Sequence, residues 1–129
     1  DLLATGIASF GHAAGVHYQN LPEWDDYISA LLERKELPLG RAMRPTKNQN
    51  LIREMILQLK RGYLDISYFE TKYGVHIVEH WQQQWQQHVD DQMLTIQGDR
   101  IELTRKGFLH ADALLPIFFE EEHQGVRYT

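Results

Sequence analysis

Residues Gly74–Gly107 read GVHIVEHWQQQWQQHVDDQMLTIQGDRIELTRKG, and two different apolar periods meet inside them. Ile77, Trp81, Trp85, Val89 and Met93 recur every four residues, with Val78 beside them. That spacing draws one slowly drifting stripe and predicts a helix over residues 76–92. After Gln92 the period falls to two: Leu94 and Ile96, then Ile101 and Leu103, around Gln97-Gly98-Asp99-Arg100. Gly98-Asp99 or its neighbours supply the positive φ angles of a tight turn, which predicts a hairpin. A long helix followed by a short hairpin is the outline of a winged-helix unit. The outline alone assigns no function.

Working upstream, Thr46-Lys47-Asn48-Gln49 fits a capping box, in which a hydroxyl and a Gln three residues on satisfy each other's free backbone N–H groups. The helix it opens, over 46–61, puts Leu51, Ile52, Met55, Ile56 and Leu59 on one face and ends at Gly62. Asp65 is expected to cap a short helix over 66–73 that carries Ile66, Phe69 and Tyr73 and closes at Gly74. The predicted order is therefore α-α-α-β-β. Downstream, Thr104 is expected to cap a final helix with Phe108, Leu109, Ala111, Leu114, Leu115 and Phe118, which Pro116 kinks or ends. The acidic run from Glu120 to Gly125 is expected to fray.

The first third reads differently. Leu2–Phe10 (LLATGIASF) is apolar on consecutive positions, the pattern of a strand buried on both faces in a parallel sheet. GHAAG follows as a glycine-rich turn. Asn20-Leu21-Pro22-Glu23 opens a helix whose core face is Trp24, Tyr27, Ile28, Leu31 and Leu32 and which ends near Lys35. Residues 36–45, with Pro38, Gly40 and Pro45, read as an extended linker.

The totals narrow the function classes. The chain has 129 residues, 43% hydrophobic and 24% charged, an ordinary globular composition. It has no cysteine, which removes disulfides, thiolate nucleophiles, cysteine-ligated zinc and iron–sulfur ligation from this chain and fits a cytoplasmic location. No apolar run reaches the length that crosses a bilayer. The net charge of −5 argues against nucleic acid. The chain opens Asp-Leu-Leu-Ala-Thr-Gly, without Met, directly into an apolar run, and is expected to be a piece of a longer protein.

Several constellations carry chemistry in other settings. His76-Ile77-Val78-Glu79-His80 spells H-x-x-E-H, a zinc-peptidase order. Both histidines flank the core stripe, however, and no third ligand is evident, so they read as helix-edge residues and no metal site is assigned. The 76–92 helix offers glutamines to base edges but contains no Lys or Arg, so it lacks the cations that hold phosphates. His12 and His17 flank the glycine-rich turn and read as solvated loop residues. Arg41 and Arg44 lie in the linker, where they meet either solvent or an anion.

Taken in order, these features resemble the C-terminal part of the oxygen-independent coproporphyrinogen III oxidase family. DLLATGIASFG (Asp1–Gly11) resembles its late barrel strand, D-x-x-G-x-G-x-x-x-x-S, and Tyr18-Gln19-Asn20 with Tyr27 resembles its Y-x-N and following helix. Arg41, Thr46, Arg53, Ile56, Leu59 and Gly62-Tyr63-Leu64-Asp65 follow its R…LT…R-x-x-I-x-x-L…G-x-x-D run. Phe69 with Tyr73-Gly74, and Leu103-Thr104-Arg105-Lys106-Gly107, match F-x-x-x-(F/Y)-G and L-T-x-K-G.

The resemblance implies a mainly α fold with a small β-hairpin: a winged-helix-like C-terminal domain over 46–129, preceded over 1–45 by the last strand and helix of a radical S-adenosylmethionine barrel and a linker. It implies S-adenosylmethionine and a [4Fe–4S] cluster in the parent protein, the cluster held by an upstream C-x-x-x-C-x-x-C loop absent here. It places Gly6 and Phe10 beside S-adenosylmethionine, assigns no catalytic residue to this chain, and gives it two partners: a porphyrin-type small molecule of haem metabolism, and the upstream barrel of the same polypeptide. Ala4, Ala8, Ser9 and Gly11 depart from the family's usual residues at that strand. Alternatives are a haem chaperone or haem-degrading relative, haem binding through one of the seven histidines, with His12 and His17 the ones to replace in a test, and a stand-alone winged-helix module for protein or nucleic acid.

Overall fold

A computed structural model describes residues 1–120; of the acidic run expected to fray, the part from residue 121 onward lies outside the described residues. The chain forms two compact units, Asp1–Thr46 and a second beginning at Lys47. The fold is mixed α/β with two three-stranded antiparallel sheets, one in each unit. This corrects the expectation of a mainly α fold with a single hairpin.

In the first unit, Leu2–Phe10 is not a strand buried on both faces. Leu2 makes one isolated antiparallel bridge to His12, and Leu3 is 75% exposed. The chain then turns through Gly6 (φ 95°) and Ala8 (φ 54°) before β1 begins at Phe10 (Phe10–Ala13). Ala14 and Gly15, both left-handed, form the two-residue turn into β2 (Val16–Asn20). Helix α1 (Trp24–Leu32) follows. Residues expected to be linker then form β3 (Leu39–Met43), antiparallel to β2. The sheet order β1-β2-β3 is antiparallel throughout, so the expected parallel sheet is also corrected. Small apolar residues in succession match a doubly buried strand in composition, but two left-handed residues break the extension that a strand needs.

The second unit runs α2 (Lys47–Leu59), β4 (Tyr63–Asp65), α3 (Ile66–Tyr73), α4 (Ile77–His80), α5 (Gln82–Asp90), β5 (Leu94–Gln97), β6 (Arg100–Leu103), α6 (Arg105–Leu109), α7 (Ala111–Leu114) and a 3-10 turn, Leu115–Phe118. The helix predicted over 76–92 exists in two pieces, broken at Trp81 (φ −119°, ψ 41°). The Ile77 carbonyl there accepts both the Trp81 amide, at 3.2 Å, and the Trp85 indole N–H, at 2.9 Å. A side chain reaching into the helical ladder is a recognised cause of such a kink. The stripe still buries Ile77, Trp81 and Trp85.

The predicted hairpin is β5–β6, and β6 also pairs with β4, which the period analysis missed. The hairpin turn reaches back to cap α3. Asp99 accepts the Ser67 amide at 2.7 Å and the Ser67 hydroxyl at 2.6 Å, and its carbonyl accepts the Ile66 amide at 2.8 Å. Asp65, expected as that cap, makes no side-chain cap bond and instead accepts from Arg100 at 3.3 Å. A carboxylate at this helix start satisfies orphan N–H groups whichever residue supplies it.

The exit sequence Thr104-Arg105-Lys106-Gly107 has a physical reason at three positions. Thr104 caps α6 by accepting the Gly107 amide at 3.1 Å and donates its own hydroxyl proton to the Gln92 carbonyl at 2.8 Å. Lys106 reaches the Asp91 carbonyl at 2.9 Å. A Cβ on Gly107 would lie 1.8 Å from the Met93 carbonyl oxygen, so only glycine lets α6 pack there. The helix expected beyond it breaks at His110, leaving Phe108 and Leu109 exposed while Leu114, Leu115 and Phe118 are buried.

His88 is buried against this segment. Its Nε2 lies 3.2 Å from the Leu114 carbonyl; a carbonyl only accepts, so Nε2 carries the proton. Burial holds its pKa below the ordinary 6.5, outweighing the Leu114 bond and the Asp91 charge, which both act upward. The unfolded chain therefore takes up a proton that the folded one resists, and stability falls as pH drops below 6.5, by at most about 1.4 kcal/mol per pH unit. Urea unfolding at pH 7 and pH 5 should show this loss, and His88→Gln should show a smaller one.

Candidate functional site

The loop between Ala4 and Phe10 is the most heavily held irregular segment of the first unit. Backbone polar groups outside a ladder need partners, and here consecutive side chains of β2 provide them. The Tyr18 hydroxyl accepts the Ala4 amide at 3.0 Å. The Gln19 amide donates to the Ala8 carbonyl at 3.0 Å. The Asn20 amide donates to the Gly6 carbonyl at 3.0 Å and to the Ala4 carbonyl at 3.5 Å. From α1, the Tyr27 hydroxyl accepts the Gly6 amide at 3.1 Å. The Ser9 hydroxyl closes the loop on the Thr5 carbonyl at 2.8 Å.

Asn20 was expected to cap α1. It lies instead at the end of β2, buried, while Glu23 stands at the N-cap without a side-chain bond. A buried amide facing two carbonyls is satisfied only because both belong to one turn of this loop.

The sheet under the loop has two unlike faces. On one, Tyr18 lies over Gly11, where a Cβ would come within 2.2 Å of the ring. On the other, Phe10 stacks on His17 with ring centroids 5.6 Å apart and planes 8° from parallel. His12 sits directly opposite His17 across the strands, ring centroids 6.3 Å apart. These histidines are therefore strand residues, not residues of a solvated turn. Gln19 continues this face and accepts from Arg41 of β3 at 2.7 Å.

Gly6 and Phe10 thus fall in one loop and its exit into β1. Gly6 has φ 95°, a conformation an L side chain rarely adopts, and Phe10 is 40% exposed, leaving aromatic surface open beside the fixed backbone. The residues that sequence reasoning did not single out as structural support are Gln19 and Ala8. Their signal is conformational and has no composition cue.

Apolar burial divides sharply. The hydrophobic core, from Leu51 to Phe118, belongs wholly to the second unit. In the first unit Ala30 and Pro38 are the buried apolar residues, whereas Trp24 is 63%, Leu32 71% and Leu37 77% exposed. The expected core face of α1 is only partly covered within this chain.

In the second unit, the interior void between Leu59, Trp85, His88 and Phe118 is about 10 Å³, far below the size of a small-molecule site, and an open surface depression of about 580 Å³ runs along α5 between Gln82, Gln86 and Asp90. Lys72 bonds Glu54 at 2.6 Å and the Tyr68 hydroxyl at 3.0 Å, and Tyr68 donates to Glu54 at 2.9 Å. Burial alone would raise the Glu54 carboxyl, but its hydrogen bonds from Lys72, Tyr68 and Tyr73 hold it below the ordinary value. Tyr73 is pushed up to about 12 by burial and by the Glu54 charge. Each partner is committed to the others, so the cluster fastens α2 to α3. His76 lies at the start of α4, 3.8 Å from Glu79, and His80 packs edge-on against Trp81.

Comparison with known proteins gives two matches. Residues 46–110 match the HemN C-terminal domain family, half of the chain. The structure is similar to coproporphyrinogen III oxidase (HemN) from Escherichia coli, a radical SAM enzyme, with a TM-score of 0.72 and 20% identity. That likeness covers 92% of this chain and 28% of that one, so this chain spans little more than a quarter of the other's length. No curated protein sequence matches.

If β2 holds the loop as described, Asn20→Ala removes the donor to Gly6 and leaves part-buried carbonyls unpaired, at a cost of about 1–3 kcal/mol. Amides of residues 4–9 should then exchange with solvent about tenfold faster or more, while those of Leu51–Leu59 keep their wild-type rates. Unchanged exchange in the loop would show that it is held by something else.

Proposed function

The chain belongs to the HemN C-terminal domain family, and on that premise we propose that it is the C-terminal part of a radical S-adenosylmethionine oxidoreductase that acts on a porphyrin-type substrate. The observation that carries this reading is the incomplete burial of the first unit. A folded sheet and helix leave Trp24, Leu32 and Leu37 uncovered. Each such side chain forfeits about 1.5–3 kcal/mol relative to full burial. An upstream barrel of the same polypeptide is the occupant we assign to that face, so that residues 1–45 complete the catalytic body.

The second unit closes an interior core of its own, although Phe108 and Leu109 stay exposed. We read it, over 46–129, as a winged-helix-like cap that closes one side of the site and shapes substrate entry. Its α5 carries no Lys or Arg, which speaks against service as a nucleic-acid reader. A complete interior core and a firmly capped α3 give a cap the rigidity it requires.

The chain has no cysteine, so it does not fit a [4Fe–4S] cluster by itself, and the cluster's thiolates are assigned to the upstream part. S-adenosylmethionine fits better. Phe10 presents an open aromatic face beside a loop whose backbone is tied at Ala4, Gly6 and Ala8. We assign Gly6 and Phe10 to that contact: Gly6 by bare backbone in a conformation other residues resist, Phe10 by its ring. Bound together, the cofactor and cluster supply radical chemistry; this chain's residues bind, orient and exclude water.

The full-length protein, prepared anaerobically with reductant, should carry an iron–sulfur chromophore and cleave S-adenosylmethionine, and coproporphyrinogen III should be consumed. Phe10→Ala should raise the KM for S-adenosylmethionine about tenfold, the loss of one aromatic contact worth about 1.4 kcal/mol. A full-length protein without a C-x-x-x-C-x-x-C loop or the chromophore would contradict the reading.

A further inference from the structure

The loop holds one residue in a conformation that its side chain opposes. Ala8 has φ 54°, the left-handed region, where an L-residue's Cβ crowds the following carbonyl oxygen. Nothing in an alanine side chain offsets that crowding, so the surroundings must impose the conformation. Both Ala8 backbone groups are engaged. Its amide donates to the Leu21 carbonyl at 3.0 Å, and its carbonyl accepts the Gln19 side-chain amide at 3.0 Å.

Gln19 in turn is set from the far side. Its Oε1 accepts Nε of Arg41 at 2.7 Å, a charge-assisted bond stronger than one between neutral groups. Phe10, Gln19 and Arg41 are register partners across β1, β2 and β3, so the three side chains form one row on one sheet face. The guanidinium polarises the Gln19 amide, which strengthens the bond that amide gives to Ala8. The row therefore runs from an edge-strand cation to the turn that separates Gly6 from Phe10.

We propose that Arg41 and Gln19 are positioning residues, which set the spacing of Gly6 and Phe10 by imposing the left-handed conformation on Ala8. The inference rests on the reading that Gly6 and Phe10 contact S-adenosylmethionine. Neither Arg41 nor Gln19 has to touch the cofactor: their effect passes through the Ala8 carbonyl. Releasing it lets Ala8 relax to an ordinary conformation and shifts Phe10 relative to Gly6.

The test uses the full-length protein and compares Gln19→Ala, Arg41→Ala, Ala8→Gly, the double variant Gln19→Ala with Ala8→Gly, and Phe10→Ala. Glycine adopts a positive φ without the Cβ penalty, so it substitutes for the restraint that Gln19 imposes. Gln19→Ala and Arg41→Ala are expected to raise the KM for S-adenosylmethionine about tenfold and about threefold with kcat little changed, and the double variant to recover most of the Gln19 loss. A variant that merely failed to fold would lose kcat and would not be rescued by a glycine. If Phe10→Ala raises KM while Gln19→Ala and Arg41→Ala leave it unchanged, the restraint is overturned and the cofactor contact stands. If Gln19→Ala raises KM and Ala8→Gly restores nothing, the route through Ala8 is overturned. If Phe10→Ala leaves KM unchanged, the contact itself is wrong and this inference falls with it.

Discussion

Three consecutive side chains of β2, those of Tyr18, Gln19 and Asn20, tie the loop around Gly6 to the sheet, and the functional account depends on that attachment. The loop leaves the regular ladder because Gly6 and Ala8 turn it out of register. Backbone bonds reach it only at Ala8 and Ser9 among its described contacts, and side chains satisfy polar groups at Ala4, Gly6 and Ala8. Successive strand residues point to opposite faces, yet all three reach the same loop because it wraps over the end of the sheet beside β2. Tyr18 reaches Ala4 only because Gly11 leaves room for its ring.

The chain's two units solve the burial problem in different ways. The second surrounds Trp85, Phe69 and Phe118 with helices and a three-stranded sheet, and Ile77, Trp81 and Trp85 of its core stripe are buried. The first has one sheet and one helix, with apolar side chains directed outward. Hydrogen bonds give it a shape; they do not give it a core. Net hydrogen-bond contributions of about 0.5–1.5 kcal/mol each do not replace a missing apolar interior. On the reading proposed above, a partner surface that supplies that interior also brings Gly6 and Phe10 to a larger site.

Much of the second unit was legible in the sequence, because its signals are periodic. The stripe from Ile77 to Trp85, the hairpin around Gly98 and the Thr104 cap all appear where their spacing predicts them. What was missed there is non-local: β4 is only three residues long, and Asp99 replaces Asp65 as the cap of α3 from 34 positions away in the chain. In the first unit, Leu2–Phe10 has the composition of a buried strand but takes a turn, because composition carries no record of φ at Ala8. Tyr18 stood out only by family resemblance, and Asn20 and Tyr27 were read as a cap and a core-face residue of α1; their contacts with Ala4 and Gly6 are what the sequence did not show. Gln19 and Arg41 gave no sign that they meet, since β3 had been read as linker.

The central claim is that the exposed apolar face of the first unit is covered by the upstream part of its own polypeptide. Hydroxyl-radical footprinting, read by mass spectrometry on the 129-residue chain and on the full-length protein, tests it directly. The account predicts that Trp24, Leu32 and Leu37 label strongly in the isolated chain and are protected several-fold in the full-length protein, while Trp85, already buried in its own unit, labels weakly in both. Equal labelling of Trp24, Leu32 and Leu37 in the two proteins would contradict it.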